Sequence, residues 1–370
     1  MLAAAISWLA YFSTHSLGLA IGGFLAIALG YTGFLAIELI ALGFVHGSDP
    51  APQPTWKELL AAWWGESKTA PQVFFWRQPF RTHAVPDQLI APTVVKGQRG
   101  VVFVHGFFCN RALWTPWLKR LQGSGHAFVA VSLEPIFGSI DDYAPQIDHA
   151  VQQVTQATGL APLLVCHSMG GLAVRAWLKI MRAEASVHHV VTIGTPHRGT
   201  WLARFGYGPN NLQMRLLSDW NTQLDYGMPD GRHALFTCWY SNSDNVVFPA
   251  STATLPGADN RLVRGAAHVQ LAFLPQVVDE TIHCQPDSRV SNPLTSTQLA
   301  HRQGVAPSIS CILPAYNEAV NLRGLVPQVL TALRALSPRY EVIVVDDGSR
   351  DDTALVMHGL CAAHTQLIYV

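Results

Sequence analysis

Leu163-Leu164-Val165-Cys166-His167-Ser168-Met169-Gly170-Gly171 is the stretch on which the fold turns. An apolar run meets a serine, and a helical period starts directly after it at Met169. Such a run reads as a buried strand feeding a helix through a sharp turn. A serine on that turn sits in strained backbone geometry with its hydroxyl projected, and small residues two positions to either side let neighbouring chain come close. The pattern is Cys-x-Ser-x-Gly rather than Gly-x-Ser-x-Gly, and a serine that merely caps the helix is the competing reading.

On both sides of this stretch, short apolar runs alternate with helical periods, the mark of a parallel sheet with crossover helices. Strands are expected at Gly100–Val104, Ala127–Leu133, Leu163–Cys166, Val187–Ile193 and Leu235–Tyr240. Helices are expected at Leu113–Leu121, Tyr143–Thr158 and Met169–Ala183. The period fails from Gly199 to Arg232, and a loop of that length suggests a lid, at about residues 200–232.

A serine hydroxyl needs a histidine to remove its proton and an acid to fix the tautomer of that histidine, in the chain order Ser, acid, His for an elbow of this kind. Asp244 follows the strand Leu235–Tyr240, and His268 follows Arg261-Leu262-Val263, so both fall on loops at strand ends, where the ligand groups of an open parallel sheet gather. Asp259 is the alternative acid. Asp219, Asp225 and Asp230 fall in the suspected lid. An oxyanion site requires two backbone N–H groups, and those of Met169, after the serine, and Phe107, after the strand ending at Val104, are the candidates. His105 reads as a structural residue of that loop. His197 precedes the acid and breaks the order.

The segments HGFFCN, HSMGG, TIGTPHRGT, SDNVVFP and GAAHV, spanning residues 97–284, resemble bacterial triacylglycerol lipases and esterases of the α/β-hydrolase superfamily. The resemblance implies an α/β-hydrolase fold with Ser168, Asp244 and His268 catalytic, Phe107 and Met169 at the oxyanion hole, and no metal or cofactor. It also implies structural roles for Thr195, His197 and Gly199.

From Leu2 to Val45 there is one acidic residue, Glu38, and no Lys or Arg, which marks residues 1–46 as a membrane anchor. Either a single long span from Leu17 to Val45 or, as the preferred reading, a hairpin turning near Gly30-Tyr31-Thr32-Gly33 fits. Residues 47–96 carry Trp56, Trp63, Trp64, Phe74, Phe75 and Trp76 among polar residues, as suits an interfacial helix or an amphipathic helix packed on the next domain.

Residues 285–307 are polar and bracketed by prolines, hence a linker. A second α/β pattern follows over 308–370, with strands at Ser308–Leu313 and Glu341–Val345 around a helix from Glu318 to Leu336. ILPAYNE (312–318) and VVDDGSRDDT (344–353) resemble the N-terminal part of family 2 glycosyltransferases such as dolichyl-phosphate mannose synthases. That resemblance implies a Rossmann-like half-domain in which Pro314, Tyr316, Glu318, Asp346 and Asp347 contact the nucleotide of a sugar nucleotide. The family's later metal-binding Asp-x-Asp and its base are missing from this sequence. A truncated half-domain, binding a sugar nucleotide only when completed, is the reading that follows.

Lys and Arg number 24 against 24 Asp and Glu with no basic run, which argues against a nucleic-acid partner. The six cysteines are scattered without metal-ligand spacing. The expectation is a membrane-bound ester hydrolase acting on a lipid or small ester, at a bacterial inner membrane with its catalytic domain on the cytoplasmic side. A glycosyltransferase with an accessory hydrolase, an acyltransferase using the same triad, and a non-catalytic membrane adaptor are the alternatives.

Overall fold

Six parallel strands, in the order β2-β1-β3-β4-β5-β6, organise the larger part of the molecule. They are β1 (Val101–Val104), β2 (Phe128–Val131), β3 (Leu163–His167), β4 (His189–Ile193), β5 (Phe236–Ser241) and β6 (Asp259–Val263). This computed structural model describes residues 2–90, 94–225, 232–283, 309–336 and 340–370. The chain divides into two units, Met1–Asp287 and Ser288–Val370.

The sheet is covered on both faces, which explains strands that are apolar throughout. In β1, Val102 and Val104 point into one core, with Leu164 and Cys166 of β3, while Val101 and Phe103 point into the other, with Leu163 and Val165. Cys166 is one of these small apolar fillers, and burial pushes its thiol pKa up. The expected strands and crossover helices are present with ends shifted by up to two residues: α4 (Thr115–Leu121), α5 (Ala144–Thr158) and α6 (Met169–Met181). The strand end expected at Arg261-Leu262-Val263 belongs to β6, whose first residues Asp259 and Asn260 give this edge strand no apolar run to mark its start.

Before the sheet come the helices α1 (Leu2–Phe12), α2 (Leu17–Val45) and α3 (Trp56–Pro71). The hairpin expected near Gly30 is not there; α2 runs unbroken through Gly30 and Gly33, and the turn lies between α1 and α2, where Ser16 caps α2 by accepting from Leu19 N. A Cβ at Gly33 would meet open space, whereas Gly23 serves packing. A Cβ on Gly23 would lie 1.9 Å from Trp8 Nε1, so Gly23 is what lets α1 lie against α2. α3 begins with a Thr55–Glu58 capping box and is tied to α2 by Trp63 Nε1, which donates to Thr32 O at 2.7 Å. It passes into a π-helical segment, Gln72–Arg77.

The segment expected to be a lid folds as short helical turns, Trp201–Phe205, Pro209–Gln213 and Asp219–Asp225, pinned to the stretch before α5 by bonds such as Asn210 Nδ2 to Ile136 O (2.8 Å) and Trp220 Nε1 to Asp141. Asp230 and the linker 285–307 lie outside the described residues.

The second unit holds a parallel sheet in the order β7 (Ile309–Ala315), β8 (Tyr340–Asp346), β9 (Leu367–Tyr369), with α8 (Ala319–Leu336) and α9 (Thr353–Ala363). Between β6 and this unit lies α7 (Pro275–His283), which closes the first. Leu322, Val326, Val342, Val344 and Met357 form the second unit's own core.

Candidate active site

β1 and β3 are neighbours, yet the chain leaves β1 for β2 on one side and resumes at β3 on the other. Their carboxyl ends therefore flank a topological switch point, where open α/β sheets bind ligands. Ser168 follows β3 there with φ 53° and ψ −129°, a left-handed conformation unusual for a residue with a side chain. It is held by Ser168 N donating to Ile193 O (2.9 Å) and Thr195 Oγ1 donating to Ser168 O (2.8 Å). The small neighbours are required. A Cβ on Gly170 would lie 2.5 Å from Val104 O, and one on Gly171 would lie 2.2 Å from Thr195 Oγ1.

Asp244 and His268 come from the loops after β5 and β6. His268 Nδ1 lies 2.9 Å from Asp244 Oδ2, and the other Asp244 oxygen accepts from Val246 N and Val247 N at 2.9 and 2.8 Å. Burial opposes a charge on His268, but Asp244 beside it, with Glu66 and Glu38 further off, outweighs that and holds its pKa above the ordinary value. Gly194 (φ 59°) leaves room for the pair, since a Cβ there would lie 3.1 Å from both Asp244 Oδ2 and His268 Nδ1.

Ser168, His268 and Phe107 line one cavity of about 350 Å³. Met169 opens α6 directly behind the serine. No described residue of 200–232 lines this cavity; its outer wall is Tyr31, Phe34, Leu35 and Glu38 of α2 with Glu66, Phe74 and Phe75 of α3 and the π-helical segment. The composition of 200–232 marked an irregular segment, and nothing in the sequence told which irregular or apolar segment would cover the site.

His105 is buried, with Nδ1 bonded to Gly106 O (2.8 Å) and Nε2 accepting from Leu133 N (2.9 Å). It holds the loop that carries Phe107. His197 is buried behind β4, bonded to Thr192 Oγ1 at 3.1 Å and away from the cavity. Asp259 pairs with Arg261 at the start of β6, the far end of the sheet from Ser168.

Sequence reading missed three residues. Asn245 Oδ1 accepts from His268 N at 3.1 Å, Glu38 Oε2 accepts from Asn245 Nδ2 at 2.7 Å, and Glu66 accepts from Val269 N and Gln270 N at 3.1 and 2.9 Å. Glu38, the one charge in the apolar run, was the signal available. Glu66 had none.

In the second unit, Pro314 lies within β7, Tyr316 is exposed just after it, and Asp346 ends β8. Asp346 accepts from Ser349 N and Oγ at 2.8 and 2.5 Å and from the Tyr369 hydroxyl, led by the Ser349 hydroxyl, and these bonds lower its pKa. Asp347 N donates to Ala315 O (2.9 Å), and Glu318 N donates to Thr353 Oγ1 (3.0 Å). The two strand-end loops are thereby stitched together.

Residues 100–254 match the palmitoyl protein thioesterase family and residues 310–370 match glycosyl transferase family 2. The first is an α/β-hydrolase family, and its match over residues 100–254 agrees with the α/β-hydrolase fold of this sheet. Among solved structures, a Bacillus licheniformis lipase in mature form is 18% identical (TM-score 0.44), over 51% of this chain and 94% of its own. Aspergillus fumigatus lipase B is 16% identical (TM-score 0.43), over 53% and 55%. Similar curated proteins match a short part of the chain. An undecaprenyl-phosphate 4-deoxy-4-formamido-L-arabinose transferase from Shewanella sediminis is 33% identical over 64 residues, 17% of this chain, and one from Pseudomonas savastanoi is 41% identical over 49 residues, 13% of it. The chain spans 19% and 14% of the length of these two relatives.

Proposed function

We propose that this chain is a membrane-tethered serine hydrolase that cleaves a carboxylic ester of a lipid through an acyl-enzyme. The observation that carries this reading is the strained turn at Ser168 opening on the same cavity as the His268–Asp244 pair. In the first half-reaction His268 takes the Ser168 proton, Oγ bonds to the acyl carbon, and the carbonyl oxygen becomes an oxyanion held by the Phe107 and Met169 N–H groups. Collapse breaks the bond to the leaving alcohol, which receives the proton from His268. Water attacks the acyl-enzyme in the second half with His268 again as base, giving the free acid and restoring Ser168. Asp244 keeps the proton on Nδ1, so that Nε2 is the basic nitrogen. An alcohol in place of that water would make the reaction an acyl transfer by the same steps.

The lipid part of the reading rests on the wall. Phe34 and Phe75 face the cavity and are also 60% and 50% exposed, so it opens on apolar surface. That surface continues over Ile37, Ile40 and Phe44 of α2 and Trp56, Leu60 and Trp64 of α3, an apolar patch too large for an ordinary water-facing side. Lys57 and Lys68 sit over Trp56 and Trp64, as suits aromatic rings at the headgroup level. α2, at 29 residues, is the one helix among those described that is long and apolar enough to cross a bilayer. We take it as the tether, with the catalytic unit on the cytoplasmic side of a bacterial inner membrane.

A thioester is the second reading of the bond cleaved, favoured by the match of residues 100–254 to palmitoyl protein thioesterases; the same steps then release a thiol. For the second unit we propose that Pro314, Tyr316, Glu318, Asp346 and Asp347 form part of a nucleotide-sugar surface. Fluorophosphonate labelling of the folded chain beside Ser168→Ala and His268→Ala, followed by hydrolysis of esters and thioesters across acyl lengths, tests the hydrolase reading. A folded wild type that takes no label would sink it.

A further inference from the structure

We infer that Glu66 is a positioning residue for His268, and that with Glu38 it makes the N-terminal helices part of the catalytic apparatus rather than an anchor alone. The inference rests on the triad reading above. His268 opens the helical turn His268–Leu271, whose first N–H groups have no partner within the turn itself. Three of them are taken by side chains from elsewhere: His268 N by Asn245, Val269 N and Gln270 N by the two oxygens of Glu66. Asn245 is in turn held by Glu38. The loops bearing the acid and the base are thus gripped from outside the sheet by one carboxylate on α2 and one on α3.

Both carboxylates are buried, at 9% and 3% exposure, in helices that otherwise present apolar side chains to the cavity. A buried carboxylate carries a heavy desolvation cost, and an anchor needs neither of them. Holding a base in register is a function that accounts for that cost, since a displacement of about 1 Å at a reacting group lowers turnover some 100-fold. The Glu66 carboxylate also acts through its charge. Burial, only partly offset by the Gln270 and Val269 N–H bonds, pushes its pKa up to about 7, and its negative form raises that of His268. The ionisable groups facing His268 are Asp244 from the β5 loop, Glu66 from α3, Glu38 from α2 and the ring of His167 from β3, 4.6 Å away.

The test is the pH dependence of kcat/KM for a p-nitrophenyl acyl ester, with the full chain in detergent micelles, for wild type, Glu66→Gln, Glu38→Gln and Ser168→Ala. Removing the negative charge lowers the His268 pKa, so the acidic limb of Glu66→Gln moves to lower pH while kcat falls by up to about 100-fold, the effect of a displacement of about 1 Å at the base. Glu38→Gln moves the limb the same way. The limb position does not depend on what fraction of the protein is folded, so partial misfolding leaves the readout intact. An inactive Ser168→Ala with an unmoved limb in both Gln variants overturns the inference alone, even if kcat falls. Hydrolysis retained by Ser168→Ala overturns the triad reading and this inference with it.

Discussion

Gly106 stands so close to Ser168 that a Cβ on it would lie 2.6 Å from the serine Cβ and 3.2 Å from its Oγ. The loop after β1 is thus pressed against the residue after β3, and the next N–H along it, that of Phe107, is the one proposed for the oxyanion. Gly106→Ala is expected to move that N–H and lower kcat by about 10²- to 10³-fold, the effect of losing one oxyanion donor. Steady-state turnover beside circular dichroism checks this. Wild-type kcat in a folded variant would remove Phe107 from the mechanism.

The 2.9 Å bond to His268 supports Asp244 as the proposed acid. Asp244→Asn is expected to lower kcat about 10³- to 10⁴-fold by favouring the wrong tautomer. Asp259→Asn, at an exposed pair with Arg261, is expected to leave kcat within about twofold, because exposed ion pairs contribute little. Reversed outcomes in the same assay would give the role to Asp259.

His105 predicts an acid limit to stability. Burial holds its pKa at about 4, below the ordinary 6.5. A folded pKa below the unfolded one means stability that is present above 6.5 and lost as pH falls towards 4. That depression corresponds to about 3 kcal/mol at full development. His167 and His197, both buried with depressed pKa, act in the same direction. Glu66 acts oppositely, its stabilising share being lost as pH rises towards 7. His105→Asn should therefore flatten the fall in melting temperature between pH 7 and 4.5. An unchanged slope would show that His105 is not the group titrating.

Phe34 and Leu35 bring the wall of the cavity from α2. Replacing either with Trp shortens the space beside Ser168, and preference among acyl esters is expected to shift towards shorter chains, each methylene of apolar contact being worth about 0.8 kcal/mol, or nearly fourfold in kcat/KM. Ratios across a chain-length series measure this. A uniform loss at all lengths would mean that α2 does not contact the acyl chain.

The second unit has its own sheet and core. A chain ending at Asp287 is expected to keep ester turnover within about twofold of the full chain. A larger drop would tie the hydrolase to its neighbour.

The sheet was legible because both faces of β1 to β5 are buried, so each strand announces itself as an unbroken apolar run. The polar edge strand Asp259–Val263 has no such mark. Ser168, Asp244 and His268 were singled out by order along the chain, and the structure joins the latter two by a hydrogen bond. What a sequence pattern cannot carry is pairing across long separations. Glu38 meets Asn245 and Glu66 meets Val269 over some 200 positions, and nothing local distinguishes Glu66 from the exposed glutamate of any helix. The turn expected near Gly30 is absent for a related reason: glycine weakens a helix where water competes for its backbone, and what holds α2 there, Trp63 Nε1 bonded to Thr32 O, is a tertiary contact.

The bond between Glu38 and Asn245 also sets a depth. At 1.5 Å per residue α2 is about 44 Å long, close to a bilayer with its headgroups, and Glu38 stands seven residues, about 10 Å, from the end at Val45. In the proposed arrangement the reaction centre is hung from that point. It sits level with the seam between headgroups and acyl chains, where the ester bonds of a membrane lipid are found. The substrate would then slide sideways into the enzyme and need not be lifted into water, and the hydrolase would work as part of the leaflet it consumes.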